Sequence, residues 1–158
     1  MPIPPTKECG LLPPGIHEAS MADVRERFAK DRNSHRGFLY DGLVKFINAL
    51  VGLGHIEVVE SILIDGSFVT DKHSPGDIDV VLEIKPDASV EKLTSLLHSL
   101  DRDSTKQKYG LEAFPYIPGM PRDIRSFFQY IREQEAVSRG IEWLQKEPQK
   151  GIVRVIYE

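Results

Sequence analysis

The chain has 158 residues, 41% of them hydrophobic and 28% charged, with a formal net charge of −4; that suits one folded domain with its own core and argues against a broad basic face, so no duplex DNA partner is expected. The single cysteine, Cys9, excludes an intrachain disulfide and a cysteine-based zinc site. A cytoplasmic protein with no membrane partner is the expectation: the first residues lack the basic-then-apolar layout of a secretory signal, and the apolar stretch Phe46 to Leu53 is far shorter than the roughly 20 residues a bilayer requires.

Residues 1–19 carry five prolines and two glycines and read as an arm without an element of its own, ahead of a single domain over 20–158. Ser20 is placed to cap a short helix from Met21 to about Lys30, with Asp23 suited to the positive end of its dipole. From Gly37 to Leu53 the residues Leu39, Leu43, Phe46, Ile47, Leu50 and Val51 recur at three- and four-residue intervals, which predicts a helix with one apolar face. Gly54 follows as its C-terminal stop. The run from Ile56 to Asp65 is rich in β-branched residues and predicts a strand, and Ile78 to Ile84 predicts a second one beside it.

Ser89 to Leu100 predicts an amphipathic helix with Ser89 as cap and Leu93, Leu96, Leu97 and Leu100 turned inward. Asp101 to Thr105 reads as a polar turn, and Tyr109 to Tyr116 as a strand whose Pro115 marks an edge. A helix is expected from about Pro121, with Ile124, Phe127, Phe128, Ile131, Ala136 and Ile141 inward and Gly140 as a breaker. A short strand from Ile152 to Tyr157 closes the chain. The predicted fold class is therefore α/β of the α+β type, a small mixed sheet with helices packed mainly on one face.

Chemistry concentrates in Leu63 to Glu83, where an apolar strand ends at Gly66-Ser67, nine residues intervene, and Asp77-Ile78-Asp79 opens a second apolar strand. Residues two apart in a strand share a face, so Asp77 and Asp79 present their carboxylates together while Ile78 turns to the core. Two such charges repel, and hard oxygen ligands of this kind suit Mg²⁺, which keeps waters and completes its shell with substrate phosphates. Gly66 permits a sharp turn and close approach of the backbone to a ligand, and the amides that follow, with the Ser67 hydroxyl, are donors for phosphate oxygens. Lys72 and His73 lie in the intervening loop, within reach of a phosphate.

Together these segments resemble the signature of the DNA polymerase beta-like nucleotidyltransferase superfamily, in its minimal form. The arm sequence LLPPGIH, with Gly-Ser-Phe-Val-Thr and Asp-Ile-Asp, is also similar to an uncharacterised bacterial nucleotidyltransferase-like group with an LPPG lead-in. The resemblance implies an Mg²⁺-dependent transfer of a nucleoside monophosphate from a nucleoside triphosphate to a protein or RNA hydroxyl, with one or two ions bound. It also implies a third carboxylate on a neighbouring strand, for which Glu112 is the preferred candidate and Asp101 and Asp103 are the competitors. The metal and catalytic set is then Asp77, Asp79 and Glu112, and the nucleotide-binding set Gly66, Ser67 and Lys72. Arg122 and Arg125 are further candidates to clamp a phosphate. The alternative is a catalytically inactive module that binds a nucleotide or a partner such as a cognate toxin, antitoxin-like or defence-associated.

Overall fold

In the computed structural model, which describes residues 3–141 and 149–155, a five-stranded mixed sheet forms the centre of the protein. Its strands are β1 (Gly15–Ala19), β2 (Val59–Asp65), β3 (Ile78–Ile84), β4 (Leu111–Tyr116) and β5 (Gly151–Val155), in the order β1-β5-β2-β3-β4. The helices are α1 (Met21–Phe28), α2 (His35–Gly52), α3 (Val90–Ser99), α4 (Arg102–Tyr109), α5 (Ile124–Gln129) and α6 (Glu133–Ser138). Among the described residues no helix is long and apolar enough to cross a membrane. The predicted class, α+β with a mixed sheet, is the observed one.

Alternation along the central strands explains the layers. Ile62 and Ile64 of β2, Val80 and Leu82 of β3 and Val153 and Val155 of β5 turn to one face, where they meet Leu39, Leu43, Phe46 and Leu50 of α2 in the main core. Val24 and Phe28 of α1 and Leu96 of α3 join the same cluster. The residues between them, Leu63, Val81 and Ile152, face the other way and are covered by Phe128 of α5. Helical cover is thus heavier on one face, as predicted, and the thinner face keeps room for polar side chains.

Local signals placed most elements. Ser20 caps α1 with a reciprocal bond to Asp23, and Ser89 caps α3 by accepting from the Lys92 amide. Strand β3 runs over the predicted Ile78–Ile84, and Gly54 follows α2 with φ of 76°. Val51, expected on the inner face of α2, is instead 41% exposed. The predicted strand from Ile56 starts later, because His55–Val58 makes a short 3-10 turn before β2.

Three expectations need larger correction. The N-terminal arm contains an element after all: β1 pairs in parallel with β5, and Leu11 and Leu12 are buried. The predicted turn at Asp101 to Thr105 is the start of α4, with the Asp101 carboxylate accepting from the Ser104 amide. The long helix from Pro121 is two short ones, α5 capped by Asp123 and α6 beginning at Glu133, and Phe127 is 61% exposed. Of the predicted final strand, Ile152 to Val155 lies in β5 and the last positions lie outside the described residues.

Candidate functional site

Register sets the site. β2 and β3 pair antiparallel with Asp65 opposite Asp79, and β3 and β4 pair in parallel with Asp79 beside Glu112. Because cross-strand partners share a face, Asp65, Asp79 and Glu112 form a row of carboxylates at strand spacing, on the face that α5 covers. Asp77, just before β3, points its carboxylate at the same place. One ligand oxygen each from Asp77, Asp79 and Glu112 falls within 4.8 Å of the others, a fit to a single cation held by three carboxylates. Asp101 is bound as a helix cap and Asp103 lies in the first turn of α4, so neither joins the group.

The turn after β2 supplies the second half. Gly66 has φ of 81°, and a Cβ built there would stand 2.6 Å from Asp79 Oδ2, so only glycine lets the backbone pass this close to the carboxylate. Ser67–Val69 then form a 3-10 turn, closed by the Thr70 hydroxyl donating to the Ser67 carbonyl at 2.7 Å. Arg36 of α2 holds the loop from behind, donating to the Phe68 and Thr70 carbonyls at 2.6 and 2.8 Å and also to that of Lys72.

A cavity of about 420 Å³ opens beside this turn, lined by Asp65, Gly66, Ser67, Asp79, Phe127 and Lys150 among others. Lys72 does not line it. That side chain is exposed and faces two other depressions, one of them shared with Ser67, so the structure does not bring Lys72 to the carboxylates. Arg125 is engaged elsewhere: it pairs with Glu83 and Asp123 at 2.9 Å and lies 3.9 Å over the Tyr116 ring. Glu83 also accepts from Arg154 at 2.7 Å and from the Ser61 hydroxyl; burial pushes its pKa up, but these donors more than offset that and hold it below the usual range.

Electrostatics at the row follow from crowding and burial. Burial first, then repulsion by Asp77 and Glu112, raises Asp79 to about 6. Asp65 is raised to about 7, again chiefly by burial, with Lys150 opposing and Asp79 adding to the rise. Two cations of α4 answer the charge on the other side. Lys106 lies 3.4 Å from Asp77 and 3.7 Å from Glu112, and Arg102 lies 3.2 Å from Glu112.

Sequence reasoning did not single out Asp65, Lys150, Arg102 or Lys106. Only Asp65 carried a local signal, an acid closing an apolar run immediately before Gly66.

A family profile covers residues 4–156, almost the whole chain. The chain belongs to DUF6932, a family of unknown function. No curated protein and no solved structure matches the chain.

Proposed function

We propose that the protein is an Mg²⁺-dependent nucleotidyltransferase that moves a nucleoside monophosphate from a nucleoside triphosphate to a hydroxyl of a protein or RNA. The observation that carries the reading is the convergence of Asp77, Asp79 and Glu112 next to the Gly66-Ser67 turn. Asp77 and Asp79 would hold the cation, which when bound neutralises charge on the triphosphate and on the attacking and leaving oxygens. The Ser67 hydroxyl and the amides of the turn would donate to phosphate oxygens, and Lys150, which lines the same cavity, would pair with a further phosphate charge. Glu112 would accept the proton of the attacking hydroxyl as the new oxygen–phosphorus bond forms and pyrophosphate departs. Positioning and charge stabilisation, not covalent chemistry, are what the chain supplies.

The test is incubation of the full chain with labelled ATP, GTP, CTP and UTP, Mg²⁺ and a cell extract. Metal-dependent label transfer that disappears in Asp77→Ala and Asp79→Ala is expected. No transfer from the wild type to any acceptor would end the enzymatic reading.

A second reading has an observation of its own. Arg102 and Lys106 already stand against Glu112 and Asp77, as they would in a module that binds a nucleotide or a toxin-like partner without turning it over. A partner that binds wild type and Asp77→Ala equally, in the absence of transfer, would favour it.

A further inference from the structure

We propose that the ring of Phe127 is the platform on which the base of the bound nucleoside triphosphate stacks. The cavity beside the Gly66-Ser67 turn measures about 420 Å³, within the range of about 300 to 1,000 Å³ usual for small-molecule sites, and two kinds of residue line it. Gly66, Ser67, Asp79 and Lys150 suit phosphates and their cation, whereas the α5–α6 segment adds the aromatic side chains of Phe127 and Tyr130. A nucleotide divides in the same way, into a strongly anionic end and a flat apolar face.

Phe127 and Phe128 are consecutive on α5, so their side chains leave the helix about 100° apart. Phe128 is buried against Leu63, Val81 and Ile152 of the sheet, and its ring lies 5.3 Å from that of Phe114. Phe127 is left 61% exposed, in a T-shaped contact with Phe128 at 5.4 Å. A lone exposed phenylalanine on an open surface calls for no explanation. This one stands in the wall of a cavity, on a helix fixed at both ends. At one end Arg125 pairs with Glu83 of β3 at 2.9 Å and lies over the Tyr116 ring. At the other, the Lys150 amide donates to the Gln129 carbonyl at 2.8 Å and Tyr130 bridges to Gln149. A ring held in place before the ligand arrives loses little freedom on stacking. Such stacking is also tolerant of which base is bound, because every base has a π-face.

The inference rests on reading the cavity as the seat of a nucleoside triphosphate, and it is independent of whether the site turns that nucleotide over. Calorimetric titration of the full chain with ATP and with tripolyphosphate, each with Mg²⁺ and without an acceptor, is the test. Phe127→Ala should weaken ATP binding by about tenfold or more and leave tripolyphosphate binding unchanged. Phe127→Leu, apolar but without a flat face, should behave like the alanine variant, and Phe127→Trp should bind ATP as wild type does. A loss shared by ATP and tripolyphosphate, full ATP affinity in Phe127→Ala or Phe127→Leu, or no ATP binding by wild type would overturn the proposal. ATP binding that depends on Phe127 in a protein that transfers no label would leave it standing while the enzymatic reading fails.

Discussion

Asp79→Asn should alter the pH dependence of stability in a direction that only a buried, repelled carboxylate produces. Burial, with Asp77 and Glu112 behind it, raises this group from 3.8 to about 6 in the folded chain. Between those values the folded protein keeps a proton that the unfolded chain has released. The stability this proton confers therefore grows as pH falls through about 6, levels off near 3.8, and is lost as pH rises. Carrying the linkage relation between about pH 8 and about pH 5 gives the wild type on the order of 1 kcal/mol that asparagine, which does not titrate, never acquires. Urea unfolding in EDTA at the two pH values measures it: relative to wild type, the variant should fare better at the higher pH, by on the order of 1 kcal/mol. A difference that does not change with pH would mean Asp79 is ionised throughout in the folded chain, and the account of a crowded, desolvated row would be wrong.

Gly66→Ala must displace either the turn or the Asp79 carboxylate, since its Cβ would fall 2.6 Å from Oδ2 at a φ of 81°. It should cost about 1 to 2 kcal/mol of stability by thermal unfolding and weaken Mn²⁺ uptake; unchanged uptake would separate the turn from the carboxylates. Lys106→Met removes the ammonium that stands 3.4 Å from Asp77 and 3.7 Å from Glu112. Because that ammonium and a divalent ion compete for the same oxygens, the variant should bind Mn²⁺ a few-fold more tightly in a calorimetric titration, and weaker binding would show that Lys106 orders the ligands instead of opposing the ion.

What was legible in the sequence was whatever depends on neighbours along the chain. The helical period of Leu39 to Leu50, the serine caps at Ser20 and Ser89 and the bounds of β3 are all local patterns, and they were placed well. Asp77 and Asp79 stand two apart at the mouth of a strand, so their common face follows from the period of a strand alone. The errors fall where packing overrules the local signal. Asp101 to Thr105 is polar enough for a turn, yet it is the first turn of α4, which packs Tyr109 against the core; the proline-rich arm gains an element because β5 offers its backbone an edge to pair with.

The sequence by itself determined the acidic pair, the glycine-serine turn before it and the strands that carry them, since each is fixed by residue type and short spacing. Only the tertiary structure decided which other carboxylates stand beside Asp79. Strand order places β4 on one side of β3 and β2 on the other, and register aligns Glu112 and Asp65 with the same residue. Order and register depend on contacts between segments far apart in the chain, where no pattern of spacing records them. For the same reason Lys106 and Lys150 came into view only in three dimensions: one follows the expected turn, in the segment that folds as α4, the other stands just ahead of the last strand, and the fold brings both to the row of carboxylates.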